Sequence, residues 1–387
     1  MPKVALLIET AHGYGRGLLR GIVRYARLHG PWGFYVTPGD FEQFLPKMRQ
    51  WGGTGIIARI ETQRVADAIL ESGLPTIALD LSQRQLEPDS PLLGFSEIAS
   101  DSQAAGTMAA EYLLEKGFQH YAFVGIADRV WSQRRQESFT RRIAEAGFKA
   151  AVYKSPRRGP RSDWYSAQAG LRKWLGTLPK PVGLMACNDA RGREVLEASR
   201  EAGLAVPEEV AVLGVDNDEL LCELSDPPLS SVALNVIGGG FEAAALLDKM
   251  MRGRVRKPRR LWVEPLRVVS RQSTDIMALE DREVGEALRF IHDNVAANIG
   301  VADVASAVQM SRRTLEIRFQ QAISRTIHAE IQRVRLERAQ RLLLESDMAM
   351  PQVAASAGYG SAAYLSQVFR KELGITPVQY RREKRRE

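Results

Sequence analysis

The sequence predicts two domains of different class: a two-lobed α/β domain over residues 1–275, and an all-α domain with two helix-turn-helix units over residues 283–387, joined by a linker at 276–282. Three observations predict it. Short β-branched runs alternate with segments of helical period as far as about residue 235. Strand patterns cease beyond residue 282. Past that point a single pattern of short helix, turn and longer helix occurs twice.

Composition narrows the function class. A chain of 387 residues, 45% apolar, can bury ordinary cores in two or three domains. No apolar run reaches the roughly 20 residues of a membrane helix, and the opening Met-Pro-Lys-Val has no signal-peptide pattern. The expectation is a soluble cytoplasmic protein with no membrane partner. Cys187 and Cys222 are too few for a disulfide framework or a zinc site and read as buried thiols, so no metal is expected. The net charge of +7 is unevenly spread: residues 282–387 hold 17 Lys and Arg against 12 Asp and Glu, and 15 of those cations are Arg. A solvated surface is one account of that excess. The planar Arg fork also suits phosphates and base edges.

Seven runs read as strands, at 4–9, 33–37, 55–60, 75–79, 120–126, 182–187 and 210–215. Between the first two, Tyr14, Leu18, Ile22 and Tyr25 share one helix face. The repeated strand–helix unit argues for parallel sheets. Their number suits two lobes, about 1–118 with 233–255 and 119–232 with 256–275, with a break near Gly117 where a helix ends.

The loop after the first run holds Gly13, Gly15 and Gly17. A dinucleotide loop needs a third glycine or alanine three positions after the second. Leu18 and Arg20 stand there in the two possible registers, although Asp40 follows at an acidic position such a loop would use. An NAD-dependent oxidoreductase is therefore the weaker reading, and no cofactor is expected. In a two-lobed α/β domain the strand ends face a cleft, which would put Glu9, Tyr14 and Arg16 there.

Three later segments are more specific: Asn188-Asp189 at a strand–helix junction; Val206-Pro-Glu-Glu-Val-Ala-Val-Leu-Gly-Val-Asp216; and Pro227-Pro-Leu-Ser-Ser-Val232, with Arg271-Gln-Ser-Thr274 further on. In this order they resemble the effector domain of LacI/GalR-type regulators, a periplasmic-binding-protein-like fold, over roughly residues 1–275. The resemblance implies a small ligand, commonly a sugar, between the lobes. A polyol needs bidentate and charge-assisted hydrogen bonds and an apolar face to stack on. Asn188, Asp189 and Asp216 end predicted strands and would face it. Trp131-Ser-Gln-Arg-Arg135-Gln-Glu-Ser138-Phe139 is similar to the family's Arg-x-x-Gly-Phe motif, with Ser138 for the glycine, and this implies Arg135 as a ligand-binding residue. Trp131 could stack on the ligand or pack the core; Asp189 could instead cap its helix. No nucleophile–base pair is evident, so an enzyme is not expected.

In the last hundred residues Val284, Leu288, Ile291 and Val295 mark one helix. Val304-Ala305 then recurs as Val353-Ala354, and Ser311, Leu315, Phe319 and Thr326 recur as Ser361, Leu365, Phe369 and Thr376. The offset changes from 49 to 50 within the turn, where Gln309 corresponds to Gly358. This is helix-turn-helix spacing. The segment from Gln352 to Arg382 resembles the signature of AraC/XylS-type activators. That implies two DNA-binding units joined by a longer helix at about 327–346. Recognition helices one turn of DNA (about 34 Å) apart follow from it. Arg312, Arg313, Glu316 and Gln320 share the exposed face of the first; Ala362, Ala363, Ser366, Gln367 and Arg370 share that of the second. Arg suits guanine, Gln adenine and Ala a thymine methyl. Lys371 and the tail 381–386 suit phosphates, and Tyr364 and Tyr380 read as packing residues.

The order of the two domains, with Tyr14-x-Arg16, Trp131 and Arg135, and Asn188-Asp189-Ala-Arg191, resembles xylose-responsive regulators. That resemblance implies an activator governed by D-xylose and acting as a homodimer on double-stranded DNA, with RNA polymerase as a further partner. A sugar-released repressor of the same architecture stays open. A sugar-binding transport component is disfavoured by the basic C-terminal domain.

Overall fold

The computed structural model describes all residues except 37–46, 154–163, 276–280, 298, 324, 347 and 385–387. Asp40, most of the linker and the end of the basic tail lie outside the described residues.

Residues 1–278 form one compact unit and 279–387 another. The first unit holds two six-stranded sheets. Its strands are β1 Lys3–Leu7, β2 Gly33–Val36, β3 Gly55–Arg59, β4 Thr76–Leu79, β5 Ser96–Ser100, β6 His120–Val124, β7 Ala150–Tyr153, β8 Val182–Ala186, β9 Val210–Asp216, β10 Ser230–Leu234, β11 Arg260–Val263 and β12 Pro265–Val269. The first sheet runs β11-β5-β4-β3-β1-β2, all parallel. The second runs β12-β10-β9-β8-β6-β7, with only β12 antiparallel. Helices cover both faces, so central strands such as β1 and β8 read as continuous apolar runs.

The seven expected strands are present, and five more join them. Polar residues hide β5: Ser96, Glu97 and Ser100 are buried, and Glu97 is satisfied by the Arg260 guanidinium at 2.6 Å. The chain crosses between sheets three times, and two crossings differ from the expected lobe boundaries. Helix Ser102–Glu115 follows a strand of the first sheet but packs on the second lobe, against helix Val130–Glu145 and β12. Its Tyr112 hydroxyl lies 2.8 Å from Ser270 Oγ and 2.8 Å from Thr274 Oγ1. The first crossing is thus at residues 100–101, ahead of Gly117. Strand β11, expected in the second lobe, lies beside β5 in the first, and the chain crosses again before β12. The remaining crossing, second along the chain, precedes helix Val236–Met251, which packs on helix Gly13–His29 of the first lobe. That packing is close because Gly21 and Gly240 face the partner helix's backbone, where a Cβ would collide.

The second unit is helical: Arg282–Asp293, Val301–Ala307, Arg312–Ile323, Ile327–Glu345, Met350–Ser356, Ala362–Leu373 and Pro377–Lys384. The repeat seen in the sequence is physical. Leu315 and Phe319 in one unit and Leu365 and Phe369 in the other are fully buried, and Ser311 and Ser361 each cap their longer helix. Residues 281 and 282, expected in the linker, belong to this unit. Asp281 caps the first helix through Val284 N–H and binds Arg318 with both oxygens at 2.5 Å.

Candidate functional site

Parallel strands with their carboxyl ends toward a crevice bring side chains at the ends of β1, β3, β4, β5, β8 and β9 to one place. A cavity of about 480 Å³ lies there, within the range of small-ligand sites. From the first lobe come Glu9 after β1, Tyr14, Arg59 ending β3, Asp80 after β4 and Ser100 ending β5. From the second come Trp131 and Arg135 of helix Val130–Glu145, Asn188 and Asp189 after β8, and Asp216 ending β9.

Two ion pairs face the cavity from opposite lobes. Arg59 Nη2 lies 2.9 Å from Asp80 Oδ2. Arg135 Nη2 lies 3.4 Å from Asp216 Oδ1 and 3.4 Å from Ser100 Oγ, while its Nη1 donates to the Cys187 carbonyl at 2.5 Å. Asp80 and Asp216 both adopt left-handed backbone, φ 43° and 106°. Such conformations cost about 1–3 kcal/mol and concentrate at functional sites. Here they stand where each chain leaves its strand beside the cavity. Trp131 lies beneath the Arg135 guanidinium, 5.1 Å from ring centroid to Cζ.

Polar capacity is left over. The Tyr14 hydroxyl and Arg135 Nε are buried and have no hydrogen-bond partner among the described residues. Burial pushes the Tyr14 phenol well above its usual value, and the Asp80 charge adds to this. Burial also raises Asp189 well above the carboxylate range, reinforced by the Asp216 charge; it raises Asp216 less, because Arg135 opposes it. Charged groups held in a cleft suit hydroxyl-rich ligands, whose O–H groups can replace lost water.

Six of the seven expected ligand residues line this cavity: Tyr14, Trp131, Arg135, Asn188, Asp189 and Asp216. Arg16 does not. Its guanidinium is occupied by the Thr10 and Ala11 carbonyls at 2.9 and 2.8 Å and by Asp218 of the other lobe at 2.7 Å. Asn188, rather than Asp189, caps the helix, accepting from Arg191 N–H at 2.9 Å. Asp189 is clamped by Ser231 Oγ at 2.5 Å and Asp218 N–H at 2.7 Å. The glycine loop has a steric role: Gly13 N–H donates to Asp218 Oδ2 at 2.6 Å, and a Cβ on Gly15 would strike the Glu9 carbonyl. Arg59, Asp80 and Asp218 were missed. The first two end strands just as Asp189 does, so the same rule would have found them.

On the helical unit Arg312, Arg313, Gln320, Ala363, Gln367, Arg370 and Lys371 are exposed, and Glu316, Ala362 and Ser366 partly so. Arg312 is steered by Glu316 at 2.9 Å. Ser366 Oγ is turned back to the Ala362 carbonyl at 2.9 Å. Tyr380 packs on Phe369, as expected. Tyr364 rests on Tyr359 but is 42% exposed, so it belongs in some measure to the outward face. Ile317, 51% exposed, is an unforeseen member of the first face.

Family models match along the chain. One described as the XylR N-terminal domain covers residues 3–102, a periplasmic binding protein-like domain covers 110–274, and a helix-turn-helix domain covers 304–383. With the cavity and the doubled recognition helices, these define a sugar-responsive, DNA-binding transcription regulator and not an enzyme. The xylose operon regulatory protein of Escherichia coli (strain K12) is 32% identical over 98% of this chain and 96% of its own. That of Haemophilus influenzae is 32% identical over 98% of both. The solved structure of a xylose-binding transcription activator, xylR, superposes with a TM-score of 0.81 at 32% identity, covering 98% of this chain and 97% of that one. The sensor unit also shares its fold with a CelR regulator in a cellobiose complex, TM-score 0.54 at 22% identity over 70% of this chain and 84% of that one. The chain belongs to the xylose operon regulator family. No helix among the described residues is long and apolar enough to cross a membrane.

Proposed function

We propose that the cavity binds D-xylose, that binding holds the lobes closed, and that the closed form activates transcription as a homodimer on DNA. The observation that carries the sugar reading is the pair of opposed ion pairs, Arg59–Asp80 and Arg135–Asp216, with buried Tyr14 between them. A pentose carries hydroxyls on all sides, and each can donate to a carboxylate while accepting from a guanidinium. Asp189, Asn188 and the buried Tyr14 hydroxyl supply further partners, and Trp131 supplies an apolar face. The relatives' names support xylose as the sugar and activation as the outcome.

Arg312, Arg313, Glu316 and Gln320 read one half-site, and Ala362, Ala363, Ser366, Gln367 and Arg370 the next; Lys371 holds a phosphate. An activator so placed would act on RNA polymerase at the promoter. Sugar shifts a pre-existing equilibrium by its preference for the closed form.

The test is thermal unfolding with D-xylose, L-arabinose, D-ribose, D-glucose and NAD. At 100 times its dissociation constant, a ligand of the folded form adds about 2.7 kcal/mol. Stabilisation by D-xylose that Arg135→Ala abolishes supports the reading. Stabilisation by another sugar alone replaces xylose, and D-xylose that lowers DNA affinity reverses the sign of control.

A further inference from the structure

The loop joining helix Val236–Met251 to β11 reads Arg252-Gly-Arg-Val-Arg-Lys-Pro-Arg-Arg260: six cations in nine residues and no acid. It lies in the sensor unit, far along the chain from the recognition helices, and neither the sugar site nor the helix-turn-helix units use it.

The loop is built, not loose. Arg254 N–H donates to the Lys249 carbonyl at 2.8 Å. At the other end Arg259 N–H donates to Ser96 Oγ at 3.1 Å, and its carbonyl accepts from Glu97 N–H at 2.8 Å. Val255 turns inward against the core. The two flanking cations are neutralised: Arg252 by Asp248 at 3.1 Å and Arg260 by buried Glu97. The four between, Arg254, Arg256, Lys257 and Arg259, are exposed, and among the described residues none has an acidic partner. Four neighbouring like charges repel and add nothing to the fold. Their arrangement suits an outside polyanion.

We infer that this loop is a second DNA contact, binding the phosphate backbone of the duplex that the chain regulates. From Arg254 to Arg259 the loop spans at most about 17 Å, and duplex DNA carries one negative charge per about 1.7 Å of axis. Three of the four cations are Arg, whose fork matches phosphate oxygens bidentately. Contacts to phosphate oxygens carry no sequence information, so this contact adds affinity without sequence preference.

The experiment uses the full-length protein with Arg254, Arg256, Lys257 and Arg259 all changed to Gln. Its affinity for a mixed-sequence duplex of about 60 base pairs is followed by anisotropy from about 50 to 200 mM salt. Each phosphate contact contributes about 0.9 to the slope of log affinity against log salt, so the slope should flatten by about 2 to 4. Affinity at the lowest salt should fall at least about tenfold. Unchanged cooperative melting, read without sugar, shows that the sensor is intact whichever sugar it takes. If the fourfold variant fails to fold, Lys257→Glu alone should still flatten the slope by about 1. An unchanged slope in a folded variant overturns the inference; if transcription activation falls nonetheless, the loop meets an acidic protein surface instead.

Discussion

Arg16 and Asp218 form an ion pair across the mouth of the cavity, Nη2 to Oδ1 at 2.7 Å, joining the first lobe to the second. The same carboxylate takes Gly13 N–H, while the Asp218 backbone N–H clamps Asp189 inside the cavity. A second bridge, Arg129 to Glu61 at 3.1 Å, spans the lobes elsewhere on the rim. The contact between the lobes and the cavity wall thus share one residue, Asp218. Arg16→Ala removes one charged hydrogen bond from the closed form, about 1 kcal/mol for a partly exposed pair. Calorimetric titration should show D-xylose binding weakened about fivefold, with unliganded melting little changed.

Arg135 is buried and holds Asp216, Ser100 and the Cys187 carbonyl together. Arg135→Ala strands Asp216 without its counter-charge. Sensor stability should fall by about 3 kcal/mol and the sugar-induced melting shift should vanish. Arg135→Lys should recover some of the stability but not the shift, because one ammonium cannot reach three partners.

The two units should respond to pH with opposite signs. Asp189 is raised, by burial and then by Asp216. The folded form keeps a proton that the unfolded chain has lost. Its contribution is full below the ordinary carboxylate value of 3.8 and is lost as pH rises through the raised value. Burial also pushes Glu330 up, but hydrogen bonds and charge from Arg333 and Arg325 outweigh it and leave it lowered. Its contribution is present above the ordinary 4.5 and lost as pH falls through the lowered value. Melting curves across pH should show Asp189→Asn removing the alkaline loss in the sensor and Glu330→Gln removing the acid loss in the helical unit.

Gln309 and Gly358 occupy equivalent turns, both left-handed, with φ 53° and 80°. A Cβ at Gly358 would collide with the Val295 carbonyl, whereas Gln309 carries its own. Gly358→Ala should cost more than about 2 kcal/mol, from the backbone conformation plus the collision. Gln309→Gly should stay within about 0.5 kcal/mol, because relief of backbone strain offsets the added freedom of the unfolded chain. Denaturant titration separates the two.

On DNA, Gln367→Ala should cost about 1–3 kcal/mol and relax preference at one base pair; Lys371→Ala should weaken all sequences alike and lower the salt slope by about 1. Binding to a library of single-base variants distinguishes these outcomes.

Much of this was legible in the sequence because it is periodic. Seven of the twelve strands announce themselves as β-branched runs, and a strand end in a doubly-wound sheet has only one cleft to face, which is why Asp189, Asn188 and Asp216 could be placed. Arg59 and Asp80 obey the same rule but stand in no motif. The repeat of Leu315 and Phe319 as Leu365 and Phe369 gave the helical unit its architecture, since equal spacing on a helix means equal burial. Strand β5 escaped because its buried Ser96 and Glu97 look like surface residues until Arg259 and Arg260 arrive to satisfy them.

The sequence by itself determined the fold class, the doubled helix-turn-helix and most of the cavity lining, because each depends on local spacing along one element. Only the tertiary structure decided that helix Ser102–Glu115 serves the second lobe and β11 the first, that Asn188 rather than Asp189 is the cap, and that Arg16 pairs with Asp218 of the other lobe. Those facts depend on which groups meet across some 30 to 200 residues of chain, where a guanidinium takes whichever carboxylate the packing of the two sheets brings within 3 Å.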